Sequence, residues 1–515
     1  MADPFYITTA IHYPNGRPHI GHAYEMIAAD VIARFQRQTG RPVRFQTGTD
    51  EHGLKMVQTA RDRGVPVREL ADEMSGYFRE LADTLNISCD RFIRTVEPDH
   101  YRASQAIWAA MEASDDLYLD RYEGWYSVRD EAFYEEKELI DGEGGARLSP
   151  QGTPVEWTAE ETWFFRLSKY QQPLLDLYTS QPDFIRPDSR RNEIMRFVEG
   201  GLTDLSVSRT SFDWGVPVPG SDGHVMYVWV DALTNYITGA GYPDDNDAFS
   251  KWWPASLHLI GKDIVRFHTV YWPAFLMSAK LPLPQSVFGH GFILNRGEKM
   301  SKSVGNVVDP GELVDLFGVD ALRYFLLRDV SFGQDGSFSG EAIATRANAD
   351  LANSFGNLAQ RTLSFIAKNL DGAIPDEGRA EPADGLLIEE VIVACAALKT
   401  AFEDLALSQG VEAWMRGVFA CNQYIDAQAP WALRKTDPER MHAVLRTLVR
   451  AIRMLGIAIL PVIPASAGKL LDQLGAEARD HAAIDDDDWI MRQAETDARI
   501  ATPQPIFPRI EITPE

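Results

Sequence analysis

A short β-branched and aromatic run, Phe5-Tyr6-Ile7-Thr8-Thr9-Ala10-Ile11, leads through one tight turn into a long amphipathic segment, and this unit restricts the fold more than any other stretch. The run has the composition of a buried strand. After the turn, Ile27, Val31 and Phe35 recur at helical spacing between Ala23 and Gln38, and Gly40 is a natural C-terminal stop. Between them lies Tyr13-Pro14-Asn15-Gly16-Arg17-Pro18-His19-Ile20-Gly21-His22, whose turn residues predict a tight loop and a helix beginning near His19. A helix N-terminus that follows a strand offers unpaired N–H groups and a positive dipole end, which suits a phosphate. His19 and His22 are three apart and face the same side there, while Gly21 lets a ligand approach the backbone. Taken alone, the tetrapeptide reads equally as an ordinary turn with two surface histidines.

The pattern repeats. Pro42-Val43-Arg44-Phe45-Gln46-Thr47 predicts a second strand, ending in Gly48-Thr49-Asp50-Glu51-His52-Gly53 before a helix from Leu54 to about Arg63. Such alternation predicts a parallel sheet that binds ligands at the carboxyl ends of its strands. Asp50 falls at that edge, where a carboxylate either binds an ammonium group or caps the next helix. Residues 117–214 interrupt the alternation with hairpin-like pieces around Trp125, Tyr126 and Phe133 and a helical piece from Thr158 to Tyr178. They predict a domain inserted between two halves, 1–116 and 215–296. Its Arg186, Arg190, Arg191 and Arg196 fit RNA phosphates or a solvated face about equally. A strand is expected at Met226-Tyr227-Val228-Trp229-Val230, another at Leu257–Ile260, then a helix from Ile264 that carries His268 one turn in. After a strand-like run from Ser286 to Ile293 comes Lys299-Met300-Ser301-Lys302-Ser303, within a connecting region of 297–345. Two lysines beside small hydroxyl residues read as a mobile loop that closes cations over phosphates.

From about Glu341 the sequence reads as helical to near Leu474, and 346–515 is set apart as an all-helical domain with an acidic end. Asn353, Asn357 and Arg361 recur every four residues on one helix face. With Trp431 in the turn-like Gln428-Ala429-Pro430-Trp431, they fit either solvent contacts or a surface reading unstacked bases. Arg446, Arg450 and Arg453 are expected to be a solvated helical stripe. A net charge of −25 argues against non-specific nucleic-acid binding. Its distribution matters, however: residues 346–471 carry 13 Lys+Arg against 14 Asp+Glu, whereas 472–515 carry 4 against 11. A nearly neutral helical segment can still turn a local basic face to one shaped RNA. Three distant cysteines, Cys89, Cys395 and Cys421, supply neither a disulfide framework nor a four-cysteine zinc site. No signal segment and no apolar run of spanning length is seen, so a cytoplasmic protein without membrane contact is expected.

The His-Ile-Gly-His and Lys-Met-Ser-Lys-Ser stretches, in this order on this scaffold, resemble the paired signatures of class I aminoacyl-tRNA synthetases. With Ile11–Gly16, Gly48–Gly53, Tyr227–Tyr236, Gly261–His268 and Gln428–Trp431, the chain resembles the methionyl-tRNA synthetase family over nearly its whole length. The resemblance implies a Rossmann-like parallel-sheet α/β catalytic domain with an inserted connective domain, followed by an all-α anticodon-binding domain. It implies that methionine is activated with ATP to methionyl-adenylate and passed to the 3′ end of tRNA(Met). A class I synthetase for another apolar amino acid is the alternative; the insertion looks too short for the editing domain of the branched-chain enzymes. By resemblance, methionine is held by Ile11, Tyr13, Asp50, Trp229, Ala232, Leu233, Tyr236, Ile264 and His268. ATP, with Mg²⁺ as substrate complex, is held by His19, Gly21, His22, Arg209, Lys299 and Lys302; of these, His19, His22, Lys299 and Lys302 are expected to be catalytic. The anticodon readers correspond to Asn357, Arg361 and Trp431. Many members bind zinc through cysteine pairs in the insertion. This chain has no cysteine between Cys89 and Cys395, so a zinc-free insertion is expected, and a monomer is implied.

Overall fold

Six parallel strands form the central sheet of the computed structural model, which describes residues 3–127, 132–134, 136–142, 145–298, 308–375, 378–476, 479–485 and 499–511. In chain order they are β1 (Phe5–His12), β2 (Val43–Thr49), β3 (Arg91–Arg94), β4 (Ile185–Arg186), β5 (Leu257–Gly261) and β6 (Val287–His290). Across the sheet they run β3-β2-β1-β5-β6-β4. The order reverses between β1 and β5, paired from Ile7 opposite Leu257 to Thr9 opposite Leu259. A crevice opens there at the carboxyl ends, because the connections leave to opposite sides.

The helix after β1, α1 (Ile20–Gln38), buries Ala23, Met26, Ile27, Val31 and Phe35, as its spacing requires, but also Glu25 and Asp30. It is covered on several sides because one continuous apolar core runs from the sheet through the helical region, from Phe5 to Ile506.

Three expectations change. The predicted strand at 226–230 reduces to Val225–Met226, after which a helix runs from Val228 to Ala240. Nearly every residue of that helix is buried, so its apolar run lacks the one-sided periodicity that separates helix from strand. The predicted helix from Thr158 to Tyr178 is split into a strand, Glu156–Phe165, and a helix, Gln171–Ser180. The strand pairs antiparallel with Leu117–Ser127, and its threonines and aromatics fit that half-buried surface. The run from Ser286 to Ile293 breaks after His290 and resumes as Ile293–Asn295, paired with Gly336–Phe338. At the break, a Cβ on Gly291 would lie 2.1 Å from the Gln334 carbonyl oxygen, so only glycine fits.

Within 117–214 the strands at 117–127, 132–134, 156–165 and 205–206 form a separate four-stranded sheet. The segment between them returns as β4 to the edge of the main sheet, pairing with Val287 and Phe288. Trp125 packs edge-on against Trp157, and Tyr126 is buried, consistent with apolar residues holding this lobe. Arg190 and Arg191 make local pairs with Glu193 and Asp188, whereas Arg186 reaches across to the Asp404 carbonyl of the helical region. Helices run from Gly340 to Gln473, as expected. Arg453, read from sequence as part of a solvated stripe, is instead buried and donates to the Ala483 carbonyl at 2.7 Å. Among the described residues no helix is long and apolar enough to cross a membrane.

Candidate functional site

The crevice between β1 and β5 is a cavity of about 540 Å³. Twelve of the residues singled out from the sequence line it: Ile11, Tyr13, His19, Gly21, His22, Asp50, Trp229, Ala232, Leu233, Tyr236, Ile264 and His268. They arrive on different elements. Ile11 ends β1, Asp50 follows β2, and Ile264 and His268 follow β5. Trp229 to Tyr236 come from a buried helix rather than from a strand end.

At one end of the cavity, His19 is the N-cap of α1. Its Nδ1 accepts from the Gly21 N–H at 3.1 Å, and the His22 Nδ1 accepts from the His19 N–H at 3.0 Å. Both rings thus spend Nδ1 as an acceptor on backbone, which places the proton of each neutral imidazole on Nε2. The rings stack at 3.8 Å. Gly21 is matched to this arrangement, since a Cβ there would meet the His19 ring at 3.0 Å.

At the other end, Tyr236 and His268 form a buried pair. The His268 Nδ1 donates to the Ile264 carbonyl at 2.9 Å, so its Nε2 accepts from the Tyr236 hydroxyl at 2.6 Å. Burial pushes the His268 imidazole down to about 4, so the ring is neutral at physiological pH. Trp229 stacks face to face on Phe267 at 3.8 Å, closing an aromatic wall. Asp50 is buried beside this wall, and its loop is fixed: its own N–H bonds the His12 carbonyl, while Trp214 Nε1 donates to the Glu51 carbonyl at 2.6 Å.

That loop is also tied to the Trp229 helix. Asp231, fully buried, accepts from His52 Nδ1 and from His100 Nε2, each at 2.6 Å. Burial alone would raise the Asp231 carboxyl, but the charge of His52 and the hydrogen bonds from both rings hold it well below the usual carboxylate range.

The sequence reading missed several lining residues, including His12, Glu25, Lys55, Phe267 and His290. Glu25 was within reach of it, since Glu25 continues the three-residue spacing of His19 and His22. His290 donates from Nε2 to Glu25 at 2.8 Å and from Nδ1 to the Gly291 carbonyl at 2.8 Å. Acceptors facing both nitrogens favour the charged imidazolium. Burial works against this charge, but Glu25 outweighs it and holds the His290 pKa above its ordinary value.

Arg209 is placed elsewhere. It is buried off the cavity, donating to Ser206 and to the Ser208 carbonyl, with its guanidinium 4.6 Å from the Tyr227 ring. Lys299 and Lys302 lie outside the described residues. On the helical domain, Asn357 and Arg361 share one helix face, and the Arg361 guanidinium sits 5.0 Å over the ring of the exposed Trp431. Arg361 is also paired with Asp426 at 2.7 Å. Among the described residues no group of three or more His, Cys, Asp or Glu is placed to hold a metal ion.

Residues 5–363 match the family described as tRNA synthetases class I (M), and residues 374–513 match the anticodon binding domain of methionyl tRNA ligase. The chain is 58% identical to the methionine–tRNA ligase of Brucella suis over 509 residues, covering 98% of each. It is 56% identical to that of Mycobacterium tuberculosis over 480 residues, covering 92% of each. Among solved structures it resembles Mycobacterium tuberculosis methionyl-tRNA synthetase in complex with methionyl-adenylate, with a TM-score of 0.93 and 52% identity over 99% of this chain and 100% of that one. The apo form of the same enzyme gives 0.88 and 49% identity, over 100% and 99%.

Proposed function

Because the chain belongs to the class I methionyl-tRNA synthetase family, we propose the following division of labour for the family's reaction. The activity is that of a methionine–tRNA ligase, an AMP-forming enzyme. Methionine and ATP give methionyl-adenylate and pyrophosphate, and the methionyl group then moves to the 3′ end of tRNA(Met), with release of AMP. A synthetase for another apolar amino acid is not favoured by matches of this identity over the full chain.

In the first step the methionine carboxylate attacks the α-phosphorus and pyrophosphate leaves in line, so no protein nucleophile or base is required. The protein's task is alignment and charge stabilisation. Asp50 holds the ammonium group, together with the backbone at Ile11. Tyr13, Trp229, Ala232, Leu233, Tyr236, Ile264 and His268 enclose the side chain. The Tyr236 hydroxyl bonds His268 Nε2 and His268 Nδ1 bonds the Ile264 carbonyl, which fixes both rings at the pocket wall, where they add weak polar contacts to the sulfur. Discrimination rests on shape and on sulfur–aromatic contact, about 0.3–1.5 kcal/mol for each contact. His19 and His22 donate from Nε2 to the triphosphate, which enters as its Mg²⁺ complex, and Lys299 and Lys302 close over it. Asn357, Arg361 and Trp431 meet the anticodon. A zinc-free insertion and a cytoplasmic, monomeric enzyme complete the reading.

The convergence of Asp50, the Trp229–Phe267 wall and the two stacked imidazoles in one cavity carries this assignment. Methionine-dependent ATP–pyrophosphate exchange tests it. Asp50→Ala is expected to lose at least about a hundredfold in exchange, since it leaves a buried ammonium without its counter-charge. Its melting temperature should be unchanged. Near-normal exchange in that variant would refute the ammonium assignment.

A further inference from the structure

Another cavity lies on the helical domain, beside the face that carries Arg361. It encloses about 370 Å³. One wall is the helical surface of Asn353, Asn357 and Gln360; the other is the C-terminal strap, through Pro505, Ile506 and Phe507. We infer that Phe507 is the stacking wall for a base of the RNA held at the anticodon-reading face, an inference that rests on the tRNA-charging and anticodon roles proposed above.

The strap is fixed on both sides of the cavity. Upstream, the Gln504 N–H donates to the Gln473 side chain at 2.8 Å, and that side chain's amide donates back to the Gln504 carbonyl. Downstream, Ile510 and the Asn348 side chain exchange two hydrogen bonds at 2.9 and 2.8 Å. Ile506 is buried, anchoring the middle, while Phe507 stays half-exposed toward the cavity. Phe507 rests on Gly356, where a Cβ would lie 3.1 Å from its ring, so the ring is seated tightly against the helix.

Opposite stand two exposed amides, Asn353 and Asn357, that make no hydrogen bond among the described residues. Asparagine amides both donate and accept, which matches the edge of a nucleobase, and an aromatic ring beside them matches its face. One helical turn on, Arg361 and Trp431 extend the same surface. The volume lies at the lower end for a ligand cleft, suited to a single base rather than to a folded protein element. The near neutrality of 346–471 fits recognition by shape and hydrogen bonding instead of by bulk charge.

Base–aromatic stacking of this kind is worth roughly five- to a hundredfold in binding per base. The full-length Phe507→Ala, Phe507→Leu and Phe507→Tyr variants separate stacking from packing. The expected result is that kcat/KM for tRNA(Met) charging falls about tenfold in the alanine and leucine variants and is restored in the tyrosine variant. Exchange without tRNA should stay within about twofold of wild type in all three. A leucine variant that charges tRNA normally would reduce Phe507 to a packing residue and overturn the inference, as would equal losses of exchange and charging. Failure of wild-type exchange with methionine would instead overturn the underlying function.

Discussion

His290 shows how a single ring can be decoded from its partners. Both nitrogens face acceptors, Glu25 and the Gly291 carbonyl, so the folded state binds a proton that the unfolded chain releases near the ordinary histidine value of 6.5. A pKa raised by folding contributes stability that is fully present below that value and is lost as pH rises through the folded pKa. The wild-type protein should therefore exceed His290→Gln in stability by more at about pH 6 than at about pH 9, read as urea midpoints at the two pH values. A pH-independent difference would mean that the ring is neutral. Sequence alone could place Glu25 on the face of His19 and His22, but not His290, because the ion-pair partners lie 265 positions apart and no local signal links them.

At the scale of elements, the helix Val228–Ala240 is the instructive failure. Trp229, Ala232, Leu233 and Tyr236 line the cavity, but 226–230 reads from sequence as a strand and 231–236 as its end, because a helix buried all round shows an unbroken apolar run. By contrast β1, α1 and β2 were legible: although α1 is covered on several sides, Ile27, Val31 and Phe35 keep helical spacing and turn residues mark its ends. The strand at 156–165 was hidden for another reason: its state is decided by pairing with 117–127, about forty residues earlier in the chain. What positions the misread helix is equally non-local. Asp231 joins it to His52 on the Asp50 loop and to His100 on the helix Pro98–Ala113. Asp231→Ala leaves two buried N–H groups without acceptors, at about 1–3 kcal/mol each, and releases Trp229 and Ala232 from their register with Asp50. The methionine KM should rise along with the loss of stability. A variant with wild-type KM and a lowered urea midpoint would confine the cluster to folding.

At the scale of the whole molecule, α1 acts as a rod between the cleft and the helical domain. Its N-terminus carries His19 and His22, and near its other end Gln38 donates to the Ile457 carbonyl at 2.6 Å. Nineteen residues of helix span about 28 Å. Midway, Asp30 receives the fully buried Arg323 at 2.7 Å, and the same guanidinium donates to the carbonyls of Leu85, Pro461 and Val462. One side chain therefore ties the helix that carries His19 and His22 to the end of the helix Pro438–Ile459 in the helical domain. The shared core makes the two halves one cooperative unit, and Arg323 is where their polar bookkeeping closes. Arg323→Met fills the space but leaves Asp30 with only Arg34 and the Ser88 N–H and hydroxyl, and three carbonyls without the guanidinium; breaking such a buried pair costs about 3–5 kcal/mol. Calorimetry should show the whole unfolding transition moved down together, and Arg323→Lys should recover little, since one ammonium cannot reach the four acceptors of a planar fork. A variant in which the helical domain melts early while the sheet domain keeps its wild-type transition would show that the two halves fold independently and that the rod carries no load between them.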